Sequence, residues 1–264
     1  MDKSTIGGIV IALGFISAAL MMEGGSLLQI MQPTALMIVL GGTVGAVMIQ
    51  FPLPTVLKAA KKVSAVFLEP KHDLKAVVDE LVKYANQARK EGIVSLDKEL
   101  ANIHEPFMKK ALMLAVDGTE PAELRDMMEV ELDQRSSQNE KIPQAFEAAG
   151  GYAPTVGIIG AVLGLIQVMQ HLDNIEEVGR GIAVAFVATI YGVGFANLFF
   201  LPAAGKLKIR LHHEQLGHEM TLDGVVSILE GMNPRMLETK LLGYIGDVPA
   251  AAVPEEEAAK AASA

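Results

Sequence analysis

Two rows of small residues and one hydroxyl are the groups in this chain whose type and spacing suit a chemical task. Ala153, Gly157, Gly160, Ala161 and Gly164 recur at helical spacing, with Gly160 and Gly164 as a small-xxx-small pair, and Ala185, Ala188, Thr189, Gly192 and Ala196 repeat the pattern further along. Small residues let helices approach closely in lipid. Ordinary helix packing explains either row alone; two matching rows point to a common partner surface. Thr189 is the most polar group on its row. In a buried helix such a hydroxyl bonds its own preceding turn. Its alternative task is to hold an oxygen beside a conducted ion or a protonatable group, since a threonine hydroxyl does not itself cycle protons near neutral pH.

A proton or cation path across lipid calls for an ionisable intramembrane residue. The four apolar stretches Ile6–Met22, Pro33–Phe51, Tyr152–Gln170 and Gly181–Ala204 contain no Asp, Glu, Lys or Arg. If the chain conducts ions, the carboxylate therefore comes from a partner helix and the chain is half of a channel. Pro154 and Pro202 lie near the ends of the third and fourth stretches. Each is a helix boundary on the plain reading, or one of a pair of hinges, because proline removes an N–H and clashes with the preceding turn.

Arg89, Lys90, Glu91, Asp97, Lys98 and Glu99 cluster around Gly92. They read either as solvated surface or as charges that steer a weak, repeatedly broken protein contact. His212, His213 and His218 lack the carboxylate spacing of a metal site, and the absence of cysteine removes thiolate ligands and nucleophiles. No phosphate-binding loop, zincin motif or paired nucleophile and base is present, so neither a catalytic residue nor a cofactor or metal is expected and the chain reads as a non-enzyme. A formal charge of −9 argues against nucleic acid, which is bound through a basic stripe.

The elements that must position these groups follow from composition. With 51% hydrophobic and 20% charged residues, the apolar residues are concentrated in segments and the charge lies between them. Roughly 20 apolar residues cross the hydrocarbon core of a bilayer, and each of the four stretches qualifies as a span. Lys3 before the first stretch, with Ser17-Ala18-Ala19, resembles a secretory signal, but the second stretch follows so closely that a membrane hairpin is the better reading. The link from Glu23 to Gln32 carries no Lys or Arg, whereas Lys58, Lys61, Lys62 and Lys71 follow span two and Lys206, Lys208 and Arg210 follow span four. Positive flanks stay inside, which puts both termini and the insert from Pro52 to Gly151 in the cytoplasm.

In the insert, Val77, Val78, Leu81, Val82 and Ala85 have helical spacing. Ser95 is expected to cap a helix through Leu96, Leu100 and Ile103, and Thr119 to begin another with Leu124, Met127, Met128 and Leu132 on one face. A helix from Leu207 to Glu230 follows span four and is expected to pack on the insert through Val225, Val226, Ile228 and Leu229. The expected fold is thus an all-α membrane protein with four transmembrane helices, a helical cytoplasmic insert between spans two and three and a helical cytoplasmic C-terminal region. Its expected parts are a hairpin over 1–51, a cytoplasmic domain over 52–151, a second hairpin over 152–204, C-terminal helices over 205–248 and a disordered Ala/Pro/Glu-rich tail over 249–264.

The chain resembles the MotA/PomA family of flagellar motor stator subunits up to about Asp247. The resemblance rests on Leu40-Gly41-Gly42-Thr43, Ala88-Arg89-Lys90-Glu91-Gly92, the run from Tyr152 to Gly160, Ala188-Thr189-Ile190-Tyr191-Gly192, and Asn197 to Pro202. It implies a ring of five copies in the bacterial inner membrane around a MotB-type subunit whose membrane aspartate carries the ion, with torque passed to the rotor protein FliG. It also implies an ion pathway past Ala161, Thr189, Thr155 and Tyr191, mechanistic prolines at Pro154 and Pro202, and rotor contact through Arg89, Lys90, Asp97 and Glu99. Gly157, Gly160, Gly164, Ala185 and Gly192 are expected to pack against the partner. Asp97 stands where many members carry glutamate. Sodium-type members carry threonine where this chain has Ala161, so the implied ion is H+ rather than Na+. The runner-up is an energy transducer of the ExbB/TolQ type, which generally has three spans; the hairpin Ile6–Phe51 discriminates the two.

Overall fold

The computed structural model describes residues 2–68 and 73–246, and every regular element among them is helical. α1 (Lys3–Met22) begins at Asp2, whose carboxylate accepts the Ser4 and Thr5 backbone N–H groups. A 3-10 turn (Leu27–Ile30) closed by a Ser26–Gln29 capping box links it to α2 (Pro33–Gln50). α3 (Leu53–Phe67), α4 (Leu74–Glu91), a 3-10 turn (Ile93–Lys98) and α5 (Pro106–Val116) follow. Next come α6 (Pro121–Gln170) and α7 (Ile175–Phe195), the latter capped by Asn174 with Glu176 and Glu177 in its first turn, where acidic groups suit the helix dipole. One π-helical turn (Ala196–Phe200) joins α7 to α8 (Leu201–Leu229), and α9 (Pro234–Ile245) closes the described chain.

Four helical runs are long and apolar enough to cross a membrane: α1, α2, α6 and the continuous run Ile175–Leu229. α1 buries none of its residues, although Val10, Ile11, Leu13, Phe15 and Ile16 are all apolar. A helix that is apolar on every side and unburied by its own chain suits a lipid or subunit environment.

Three sequence expectations are corrected. The helix expected from Thr119 and the span expected from Tyr152 are one helix of 50 residues. Gly150 and Gly151 do not adopt the left-handed conformation that ends helices, and Pro143 and Pro154 each remove one N–H without breaking the run. Ser95 caps no helix: its hydroxyl donates to the Gly92 carbonyl at 2.7 Å inside the 3-10 turn.

The domain boundaries also move. Met1–Pro70 groups with Gln138–Arg210, and Lys71–Ser137 with Leu211–Ala264. α3 and residues 138–151 thus leave the insert for the span-bearing unit, because Ala59 and Val66 of α3 share a buried cluster with Ile142, Phe146, Ala203 and Leu207. The tail expected to be disordered and the flank residue Lys71 lie outside the described residues.

The second unit has a buried helical core of its own. Val78, Leu81, Leu96, Phe107, Leu112, Leu124, Met128, Val225, Val226 and Leu237 are buried together. Each such side chain contributes about 1.5–3 kcal/mol through removal from water. Asp223 is tied at its margin to Lys240 at 2.7 Å and to Arg125 at 3.1 Å. Burial pushes its carboxyl up, but the hydrogen bonds from Lys240 and Arg125 outweigh that and hold it below the usual carboxylate range.

Candidate functional site

The two rows of small residues face each other. A Cβ at Gly157 would stand 2.9 Å from the Ala188 carbonyl oxygen, and one at Gly192 would stand 2.6 Å from the Ala153 carbonyl oxygen. Gly164 meets the Gly181 carbonyl oxygen and the Ala185 amide nitrogen at 2.7 and 2.9 Å on the same measure, and Gly160 meets the Ala188 methyl at 2.8 Å. α6 and α7 therefore approach backbone to backbone along a seam that no larger side chain would fit. This corrects the assignment of Gly157, Gly160, Gly164, Ala185 and Gly192 to a partner surface: all five are buried, and each row is the other's partner. Sequence spacing shows a smooth face but not which helix covers it.

What α6 and α7 leave open is the complementary face. On α6, Thr155, Ile159, Val162, Ile166 and Met169 are exposed at helical spacing; on α7, Ile182, Phe186, Thr189 and Val193 are. Each stripe is apolar and carries one hydroxyl. The Thr155 hydroxyl donates to the Tyr152 carbonyl at 2.8 Å and the Thr189 hydroxyl to the Ala185 carbonyl at 3.1 Å. Both donors are thus satisfied by the preceding turn, and both oxygens keep lone pairs that accept. Ala161 lies half-buried at the edge of the seam, one position beyond Gly160.

Tyr191 is not free for such a role. Its hydroxyl donates to the Ile30 carbonyl at 2.6 Å and accepts the Gln32 amide at 3.3 Å, fastening α7 to the loop between α1 and α2. Thr43 is the group that sequence reasoning passed over. It is 1% exposed, and its hydroxyl has no hydrogen-bond partner among the described residues. A buried unsatisfied hydroxyl costs about 1–3 kcal/mol, and the signal for it was a hydroxyl beside Gly41-Gly42 within an apolar span.

The turns that carry the two prolines touch through Gly150 and Leu201. Pro154 leaves the Gly150 carbonyl without its usual N–H donor. Gly150 is pressed by Leu201, the residue before Pro202: a Cβ there would stand 2.6 Å from the Leu201 side chain. The π-helical turn ends at Phe200, so the irregular backbone of the α7–α8 run sits directly against the weakened turn of α6. Single π-helical turns recur at functional sites.

In the second unit, Arg89 and Lys90 occupy the last turn of α4, where they suit the helix dipole, and Gly92 ends the helix at φ +82°. Arg89, Lys90 and Asp97 are exposed and form no ion pair among the described residues. Glu99 differs from them. It is held by Lys83 at 3.1 Å, so it is already partnered within its own unit.

Two family models match the sequence: Motility protein A N-terminal over residues 6–92, and the MotA/TolQ/ExbB proton channel family over residues 99–220. Motility protein A of Bacillus subtilis is 35% identical over 249 residues, covering 93% of this chain and 91% of that one. The structure of C. jejuni MotAB superposes with a TM-score of 0.87 at 32% identity, over 92% of this chain and 96% of that one. The flagellar MotAB stator complex of Bacillus subtilis gives 0.84 at 33% identity, over 98% of this chain and 99% of that one. A four-span channel-family fold with a helical insert is the class defined here. Within it, the chain belongs to the Motility protein A family, and the match over the first hairpin separates it from the ExbB/TolQ branch.

Proposed function

We propose that this chain is the A-type stator subunit of a flagellar motor, forming with a MotB-type partner a proton-conducting channel of the inner membrane and converting ion flow into torque. The observation that carries the reading is the open face of α6 and α7, which is apolar, holds the Thr155 and Thr189 oxygens and has no ionisable side chain. A carboxylate from a partner helix is what such a face lacks. Five copies of the chain around the partner would ring it with these faces.

The hydrogen bonds set the chemistry. Because both threonine hydroxyls already donate to their own helices, they offer a partner acceptors only. An acceptor binds a protonated carboxyl through its O–H and repels a carboxylate. Thr155 and Thr189 thus favour the neutral, proton-loaded state of the partner's acid, which is also the state that lipid tolerates. Ala161 adds no oxygen ligand, which suits a proton better than the hard, multiply coordinated Na+.

Loading and unloading then change which packing the α6–α7 hairpin prefers, and the joint of Pro154, the π-helical turn and Pro202 is where the backbone yields. α6 and α8 each continue from the span-bearing unit into the second unit. Arg89, Lys90 and Asp97, on the cytoplasmic side, meet complementary charges of the rotor protein FliG. Inverted membrane vesicles test the channel directly: coexpression with the MotB-type partner should give proton flux that neither chain gives alone, whereas no flux from an assembled complex would reduce this chain to a scaffold.

A further inference from the structure

Thr43 is a buried hydroxyl to which the channel reading gives no task. Its oxygen has no hydrogen-bond partner among the described residues, and the residue is 1% exposed. The hydroxyls of Thr155, Thr189, Thr221 and Ser227 all donate to a carbonyl three or four residues back in their own helices. Thr43 makes no such bond, so its donor is available to a neighbouring element.

α6 serves as a ruler for which element that is. The Cβ position of Gly160 meets both Ile38 of α2 and Ala188 of α7, at 3.3 and 2.8 Å. One turn on, Gly42 of α2 meets Val156, and Gly192 of α7 meets the backbone of Gly157. Thr43 therefore stands level with Gly192 and Val193. The carbonyls of these two residues share the Ala196 N–H, where α7 gives way to the π-helical turn. The Asn197 side chain also donates to the Val193 carbonyl, at 2.9 Å.

A π-helical turn passes over one carbonyl where the regular ladder resumes. Here the Leu201 N–H bonds the Ala196 carbonyl, five residues back. Pro202 has no N–H to give, so the Asn197 carbonyl has neither of its regular helical donors. Pro202 removes one bond from the ladder in any case, which makes this the least costly resting place for the turn. If the π-helical turn moved one helical turn towards the start of α7, the carbonyl passed over would be that of Gly192 or Val193, level with Thr43.

We infer that Thr43 is a positioning residue, a donor held in reserve for a second winding of the α7–α8 run in which the π-helical turn has moved up beside it. The extra residue of winding would then precede Ala196 instead of following it, turning the stretch from Ala196 to Phe200 by about 100°, the rotation of one residue. That stretch leads directly into Leu201, which presses on Gly150 of α6, so the rewinding would reach the turn weakened by Pro154. The inference rests on the proposed channel, because it makes the second winding a stage of the conducting cycle.

The test uses the complete chain with its MotB-type partner. Thr43→Val keeps the shape and removes the donor, whereas Thr43→Ser keeps the donor. Thr43→Val should assemble and melt no lower than wild type, because no hydrogen bond is lost in the resting winding. Its proton flux in inverted vesicles should fall about tenfold, the effect of one hydrogen bond, with Thr43→Ser near wild type. Amide hydrogen exchange over residues 192–201 should slow by a similar factor, since passage to the second winding opens that stretch. Equal flux from assembled Thr43→Val and wild-type complexes, unchanged exchange, or a flux loss matched by a lower melting temperature would each overturn the inference; the last marks a packing role. A wild-type complex that passes no protons would sink the channel reading, and exchange would still decide whether Thr43 supports a second winding.

Discussion

Thr189 shows how one hydrogen bond decides what a residue offers a partner. Its proton is committed to the Ala185 carbonyl, so what it offers a partner is an acceptor on an otherwise apolar stripe. Thr189→Ser should preserve swimming with the MotB-type partner. Thr189→Val, nearly the same shape, should cut proton flux about tenfold or more, as loss of one hydrogen bond to a charged or proton-sharing group would; equal flux from assembled Val and Ser variants would return the hydroxyl to a purely local role. The sequence made Thr189 visible because it is polar among small residues, but not Thr43, whose lack of a partner is a property of packing. It also placed Tyr191 on the ion path, where the structure gives its hydroxyl to Ile30 and Gln32. Hydrogen-bond partners from distant segments cannot be read from spacing.

At the scale of helices, periodicity located all four spans and most core positions of the insert, including Val78, Leu81, Ala85, Leu124 and Met128. It failed at joints. Glycine and proline around 143–154 look like helix ends in sequence, yet in a long packed helix neighbouring elements hold them in register, and α6 is continuous. The seam gives a sharp contrast to measure. Gly192→Val should abolish assembly, since its first side-chain atom already falls 2.6 Å from the Ala153 carbonyl oxygen, while Gly194→Ala, which meets nothing within 4 Å, should assemble and swim; tolerance of Gly192→Val would mean the seam opens in the membrane. The π-helical turn was invisible to pattern, because one residue of extra winding leaves no periodic trace. Pro202→Ala restores a donor next to that turn and should leave the complex intact by size-exclusion chromatography while stopping rotation of tethered cells. Normal rotation would place the yielding joint elsewhere.

The whole molecule combines a span-bearing unit short of internal burial with a second unit that has a conventional core, and the two respond to different variables. Asp223 has a depressed pKa in the folded state, held by Lys240 and Arg125 against burial. The stability it confers is present above the unfolded value of about 4 and is lost as pH falls through the lower folded value. The second unit's melting temperature should therefore decline below about pH 4, and Asp223→Asn should flatten that decline while lowering stability at neutral pH; an unchanged acid limb would remove Asp223 from the account. The decisive measurement is swimming speed in a stator-deleted host carrying this chain and its MotB-type partner, under separately imposed proton and sodium gradients. Speed that collapses with a protonophore and ignores sodium is the predicted result. Speed that follows sodium would contradict the proton assignment built on Ala161 and the acceptor threonines, and no swimming from a fully assembled complex would contradict the stator itself.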